Sequence, residues 1–576
     1  RQESADQQPQ QAAPAAAPAA PAPVNPKENG FFGNTITVIN NFANTVLNLT
    51  LKDVKIDVSH TGKENYIDPI AGKAALSVQG SGDVEIELDG KNELKSGHFR
   101  AGLEKNAYAG TLTLKDDNQK AGSLTATGGS YSAGIGGSYW GSGENITING
   151  GTVTATGSYY GAGIGGGQNG SGKNITINGG TVNAKGGSQG AGIGGGSSGS
   201  GENITINSGT VTAAGGSYGA GIGGGYWGDY NSGNGGKDIT INGGTVTATG
   251  GYLGAGIGGG GIGVYDGYTN GENITINGGT VTATGGDHGA GIGGGSGSIG
   301  SGGGGYGSGK DITINGGTVI AAGGKEAAGI GGGDSGSSEN ITITGGTVNA
   351  DGGDEGAGIG GGATGSGSNV TVSGAAQVTA TAGKSNGSYG AGATIGSGGN
   401  ETGGQPVDGD EIRADISAVT TGYIHHIIYD EDGTTIKREW WEPERPQPNP
   451  ESPQPNPDGP NAPAGESNEV DLGTPWLHVE TLEGDPLPFN AQQQGRTLRV
   501  TSDTLAARLH GTRQALEALR EQGVEQIEFV TSFKTTTLSV EDLLAEGGSW
   551  FALEHNGLVS RRLSAAQAES LKCQMR

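Results

Sequence analysis

One rank of residues recurs at a fixed place in a repeated sequence and carries most of the side chains with chemical reach. It lies seven residues after the apolar residue of each TVTAT-like segment and reads Tyr131, Tyr160, Gln189, Tyr218, Leu253, His288, Glu326 and Glu355. The position before it adds Tyr159, Tyr252, Asp287, Lys325 and Asp354. Longer loops add Tyr139, Trp140, Tyr226, Trp227, Tyr230, Tyr265, Tyr268 and Tyr306. Aromatic residues make up only 5% of the chain, so their gathering at these corners is a signal. Rings flanked by Asn, Ser and Asp suit carbohydrate: C–H faces of a sugar stack on the ring while its hydroxyls take polar partners. On this reading the binding residues are Tyr131, Trp140, Tyr159, Tyr160, Tyr218, Trp227 and Tyr252. The competing reading is that the rings cover glycine-rich backbone at the corners.

The far end of the same rank is charged. Asp287, Glu326, Asp354 and Glu355 stand on adjacent repeats, so their carboxylates come within reach of one another. Such a set can hold Ca²⁺ or work as an acid/base pair. Its bland alternative is solvated surface charge. Asp334 and Glu339 fall on a different loop and are expected to add little. No catalytic residue is assigned and no cofactor is expected to be required, with Ca²⁺ the one ion the carboxylates suggest. GAGIGGG superficially resembles a dinucleotide-binding loop, but it recurs in every repeat with no helix and no acidic partner after it. No Cys/His spacing for zinc exists, and the lone Cys573 has no evident base beside it.

These residues need a scaffold, and the repeat supplies it. The unit reads TVTATGG, GAGIGGG, a variable loop and NITINGG, as in residues 152–180. The apolar residue after the first Thr falls at Leu124, Val153, Val182, Val211, Val246, Val281, Val319, Val348 and Val378. The extra residues of the longer units all enter between GIGGG and NITI. Within a unit each segment alternates, with Ile, Val and Ala on one side and Asn, Thr and Gly on the other; a period of two means strand. Three short strands cannot bury a core alone, but stacked coils can. The expected fold is all-β: a right-handed, three-sided parallel β-helix of about eleven coils, each near 29 residues. The outward glycines of GAGIGGG should leave one face almost bare, open to close approach by a ligand or a second solenoid. The Asn of NITI stacks from coil to coil and should bond along the ladder.

Composition divides the rest. Residues 1–29 are an Ala/Pro/Gln-rich linker, 30–405 the β-helix, 406–442 a β capping segment and 443–467 a Pro-rich linker. FFGNTITVINNF is the candidate cap at the other end. In 406–442, GYIHHIIYDEDGTTIKREWW reads as two strands about an Asp-Gly turn, with His425 and His426 on opposite faces. Residues 468–576 read as a small α+β domain, with SDTLAARLHGTRQALEALREQG a helix capped at Ser502 or Asp503.

Glycine accounts for 124 of 576 residues without a strict Gly-X-Y period, which excludes collagen. A single cysteine excludes a disulfide scaffold. No run reaches the ~18 apolar residues of a spanning helix, so membrane insertion is not expected. The net charge of −26 argues against nucleic acid. A start at Arg1 would fit either removal of an export signal or truncation.

By its GGTVTATGG, GAGIGGG and NITINGG units the body resembles the Gly-rich β-helix proteins that gut Firmicutes secrete or display. More distantly it is similar to the clostridial carbohydrate-binding β-helix family, within the pectate-lyase-like superfamily. That resemblance implies a secreted or cell-surface bacterial protein, and polysaccharide or Ca²⁺ as ligands. Catalytic relatives cluster Asp with a basic residue on one sheet, whereas the exposed strand positions here are mostly Thr, Asn and Gly. The expectation is therefore a non-catalytic, adhesin-like protein that binds polysaccharide along its aromatic corner. The alternatives are a structural stalk or fibre that self-associates through its Gly-rich face, and a polysaccharide lyase or hydrolase.

Overall fold

The computed structural model describes residues 30–443, except 65–68, 107–109, 119–120, 227–234, 264–267, 298–305, 432 and 434. It also describes 477–571, except 483–486, 488, 503, 505, 532–533, 546, 557–558, 565–566 and 569–570. Residues 1–29 and 444–467 of the two linkers, Trp227, Tyr230, Tyr265, Asp503 and Cys573 lie outside the described residues. The chain forms two compact units, residues 1–449 and 450–576.

The first unit is a parallel β-solenoid with three strands per coil. One coil is Gly143–Ile148, Thr152–Thr156 and Ile164–Gly165. The next is Gly172–Ile177, Thr181–Lys185 and Ile193–Gly194. Each strand pairs in parallel with its equivalent one coil away, Ile146 against Ile175, Val153 against Val182 and Ile164 against Ile193. This register repeats the sequence alignment, because a slip by one residue would turn every inward side chain to solvent. The Ile-Gly ladder has twelve strands among the described residues, from Ile36–Ile39 to Ile395–Gly396. The expected N-terminal cap thus contributes the first rung of this ladder: Ile36 and Val38 pair with Leu76 and Val78.

Ile146, Ile148, Val153, Ala155, Ala162 and Ile164 are fully buried, and the same six positions fill the following coils. No aromatic residue enters this core among the described residues. At Asn145 the strand bulges: pairing passes from Glu144 to Ile146, and Asn145 sits at φ 56°. Asn and Asp tolerate that left-handed geometry best of the non-glycine residues, which accounts for Asn174, Asn203, Asp238, Asn273, Asp311, Asn340 and Asn369 in the same column. Their side chains bond along the stack, Asn174 Nδ2 donating to Asn145 Oδ1 at 2.8 Å and Asn203 to Asn174 at 2.8 Å. A second ladder, which the sequence reading passed over, runs through Asn149, Asn178, Asn207, Asn242, Asn277 and Asn315 with spacings of 2.7–2.8 Å.

The bare glycine face is not there. Residues 161–167 of GAGIGGG are all buried. A Cβ at Gly161 would lie 2.0 Å from the carbonyl oxygen of Ser132, one coil away. Gly165 adds a φ of +132° and a contact of 2.0 Å to the oxygen of Gly194. The glycines therefore let successive corners of the coil nest on one another, and offer no open surface to a partner.

At the C-terminal end Tyr423–Tyr429 adds in parallel to Gln377–Thr381, and Ile436–Glu442 returns antiparallel along it. His426 is buried and His425 faces Glu439 with Nε2 2.6 Å from Oε1, so the two point apart as expected. The outer strand carries Lys437, Arg438 and Glu439, charges that discourage further strand pairing. At the other end Ile39, Phe42 and Val46 are at least half exposed.

Among the described residues the second unit has two four-stranded sheets and the helices Arg513–Glu521 and Val540–Ala545. The expected long helix from Ser502 is replaced by the strand Ala506–Thr512 followed by the shorter helix, which Thr512 caps through a bond from the Ala515 N–H. Ala507, Leu509 and their neighbours are buried between Leu477–Glu480 and Trp550–Asn556, so tertiary pairing overrides the helical preference of Ala, Arg and Leu.

Candidate functional site

The aromatic rank stands where each TVTAT strand turns through glycine into the Ile-Gly strand. Its backbone carbonyl accepts a hydrogen bond from the residue after GIGGG in the next coil. Gln168 N–H donates to Tyr131 O at 2.8 Å, Ser197 to Tyr160 at 2.7 Å, Tyr226 to Gln189 at 2.8 Å and Asp334 to His288 at 2.9 Å. The two corners that seemed separate in the sequence are thus one ridge. The reason is the Ile-Gly strand, only two residues long, which folds the flanking turns back to back.

Along this ridge the rings form separate patches. Phe99, Tyr131 and Tyr160 stack in succession, with centroids 5.4 Å and 5.0 Å apart and interplanar angles of 19° and 6°. Tyr139 leans on Phe99 and Tyr131, and Trp140 meets Tyr139 edge-on at 5.8 Å. Tyr159 packs edge-on against Tyr160 at 4.6 Å. The faces of Tyr131 and Tyr160 are largely spent on each other. The rings most open to solvent are Tyr159, 58% exposed, and Trp140, 67% exposed. Gln189 interrupts the run, its Oε1 accepting from the Ser197 hydroxyl at 2.8 Å. Tyr218 then pairs with Tyr226 at 5.0 Å, and Tyr252 packs edge-on to His288 at 5.0 Å. Tyr268 and Tyr306 meet in a backbone bridge elsewhere on the loops.

Beside the first patch lies a groove of about 420 Å³ lined by Glu64, Ser130, Tyr131, Ser158, Tyr159 and Tyr160. Glu64 is held below the usual carboxylate range by hydrogen bonds from Tyr131 and Ser130, the Ser130 hydroxyl lying 2.8 Å from Oε2. The same bond pushes the Tyr131 phenol up to about 12. His98 Nδ1 sits 2.9 Å from Ser130 Oγ. The groove thus combines an exposed ring, an ionised carboxylate and two serine hydroxyls. Glu64, His98 and Phe99 escaped the sequence reading because they precede the regular repeats, in a stretch where the column cannot be counted.

The charged end is arranged differently from expectation. Asp287 is exposed, and Asp354 turns toward Lys384, Oδ1 4.0 Å from Nζ. Glu326 and Glu355 do approach one another, and the ridge brings in two residues the carboxylate set had left out, His288 and Asp334. His288 is buried, with Nδ1 2.9 Å from Glu326 Oε2 and 3.3 Å from Asp334 Oδ2. Its Nε2 lies 3.2 Å from the Tyr252 hydroxyl. Asp334, expected to add little from a different loop, enters the set because that loop returns to the His288 carbonyl; Glu339 lies in strand register with Lys310. Burial and the charge of Glu326 push Glu355 up to about 7. Burial and Asp334 raise Glu326 in the same direction.

A family model described as Beta helix repeat matches residues 120–139, 146–168, 175–197, 204–226, 239–261, 274–296, 312–334 and 341–363. No curated protein and no solved structure matches the chain. Each matched segment covers strands and corner of a stacked coil, including the ridge residues from Tyr131 to Glu355. Eight such repeats, stacked in register in the solenoid, make the chain a parallel β-helix protein.

Proposed function

We propose that this protein binds polysaccharide without cleaving it, in the groove beside Tyr159, and that it does so outside the cell. The observation that carries the reading is the pairing of a solvent-facing ring with hydrogen-bonding groups: Tyr159 on the rim, and Glu64, Ser130 and Ser158 in the same groove. Trp140 extends the apolar surface on the neighbouring loop. An extended sugar chain presents apolar C–H faces and hydroxyls alternately, which such a groove matches without needing a deep pocket. The carboxylate of Glu64 and a net charge of −26 favour hydroxyl-rich neutral chains over polyuronates. Tyr131 and Tyr160 then act as the stacked support that fixes Tyr159, and Tyr218 belongs to a separate patch.

The test is retention of the full chain on pectins, cellulose, mucin glycans and peptidoglycan, with Ca²⁺ and with chelator. Retention on one neutral class should weaken about tenfold in Tyr159→Ala or Trp140→Ala, the effect of losing ~1.4 kcal/mol. Retention unchanged in both variants would remove the groove from consideration. A second reading, a stalk that associates end to end, is favoured by the exposed Ile39, Phe42 and Val46 at the N-terminal coil. A monomer at high concentration in sedimentation would count against it.

A further inference from the structure

The geometry points to a site for a zinc-class divalent cation on the ridge, with His288 Nδ1, Glu326 and Asp334 as ligands. The three ligand atoms lie within 4.8 Å of one another, and Nδ1 is 2.9 Å and 3.3 Å from the two carboxylate oxygens. Tetrahedral ligands each about 2.0–2.2 Å from zinc are spaced by roughly 3.3–3.6 Å, so the two distances from Nδ1 lie within a few tenths of an ångström of that spacing.

Carboxylates gathered at a surface are no site by themselves, and the imidazole is the independent sign. His288 is 5% exposed, and its Nδ1 is buried without a hydrogen bond of good geometry to any group, although it faces both carboxylates. Nδ1 meets the two carboxylates as an ion pair only when the ring is protonated, and a cation at that point would satisfy the neutral nitrogen and both carboxylates at once. Its other nitrogen is already engaged, Nε2 standing 3.2 Å from the Tyr252 hydroxyl. That contact orients the ring, as outer partners do for metal-bound histidine. Glu355 stands beside the set, 1% exposed, with Oε1 buried and unpaired. Three carboxylates crowded in this way repel one another when ionised. A dication relieves that repulsion.

The donor set also selects the ion. Ca²⁺ takes six to eight oxygens, whereas one imidazole with two carboxylates and an open position suits Zn²⁺. This differs from the all-carboxylate Ca²⁺ set read from the sequence: Asp287 and Asp354 drop out, and His288 and Asp334 enter. Cysteine and histidine spacing along the chain does not show it, because two successive coils contribute ligands to a single point, His288 from one and Glu326 and Asp334 from the next.

The experiment is equilibrium dialysis of the full chain against Zn²⁺, followed by measurement of bound metal. Wild type should hold one more zinc per chain than His288→Ala and than Asp334→Asn, which preserves side-chain size on a loop. Reading the difference removes any zinc taken by the buried His478, Glu480 and His510 group of the second unit. Tyr252→Phe should keep the stoichiometry and bind about tenfold more weakly. Ca²⁺ at equal free concentration should not displace the ion. Equal zinc in wild type and both ligand variants, with far-UV circular dichroism unchanged, would overturn the site, as would displacement by Ca²⁺.

Discussion

Gly190→Ala tests whether glycine holds the coils together by allowing their corners to nest. The added Cβ would lie 2.1 Å from Gly161 O, 2.5 Å from Gly161 C and 2.9 Å from Ala162 N, all backbone atoms of the preceding coil. Ordinary contact begins at 3.4 Å, so the coils must part by about 1.3 Å, the difference from 2.1 Å. That opening breaks the bonds from Gly187 N–H to Gly161 O at 2.9 Å and from Gly163 N–H to Ala191 O at 3.0 Å. Overpacking of a tight interior costs about 1–3 kcal/mol and each lost bond about 1 kcal/mol. The expected loss is about 3–5 kcal/mol, localised to the neighbouring coils. Gly150→Ala is the control: its Cβ would meet nothing nearer than Asp116 N at 3.2 Å, and its φ is not positive. There a smaller unfolded-state entropy should leave stability unchanged or raised by about 0.5 kcal/mol. The assay is native-state hydrogen exchange of the full chain, because a solenoid joined to a second unit need not unfold in one step. Amides around 161–190 should exchange more than about 100-fold faster in Gly190→Ala, tenfold for each 1.4 kcal/mol. Exchange within tenfold of that in Gly150→Ala would refute the steric account.

Three further outcomes follow from particular side chains. Glu64→Gln should return the Tyr131 phenol from about 12 toward its ordinary value near 10, followed by tyrosinate absorbance or the proton resonance of the ring. His426 is pushed down to about 4, first by burial and then by the charges of His425 and Arg438. The unfolded chain therefore binds the extra proton between about pH 6.5 and pH 4, so this stabilisation is complete above pH 6.5 and lost as pH falls through that window. Exchange in the capping hairpin should accelerate over that range in wild type and stay flat in His426→Gln. In the second unit burial would raise Glu480, yet bonds from His478, His510 and Arg508 hold it low; Arg508 lies 2.8 Å away. Arg508→Ala leaves that carboxylate buried without its main cation, and chemical unfolding of the second unit should shift by about 3–5 kcal/mol.

The alternation of NITI and TVTAT, and the constant spacing from Val153 to Val182, determined the solenoid, its register and its core. These are local and periodic facts: an inward Ile is next to its copy in the following coil whatever else the chain does. The Asn column was legible in the same way, since identical side chains one rung apart can bond only along the stack. The capping hairpin was legible through its own alternation and Asp-Gly turn. The second unit was less so, because Ala506–Thr512 owes its extended form to strands on both sides that lie far away in sequence.

What the tertiary structure alone decided is the meaning of the glycines and the composition of the ridge. GAGIGGG has the pattern of a bare outer face, and only the approach of the next coil's carbonyls shows that it is packed shut. The distance from His288 to Asp334 depends on how a two-residue strand folds two turns together, and insertions of varying length hide that meeting from any count along the chain. Glu64 reaches Tyr131 across coils from a segment whose repeat has faded. Periodicity specifies contacts between equivalent positions, whereas a site is made of inequivalent ones, and these are brought together by the path of the backbone between them.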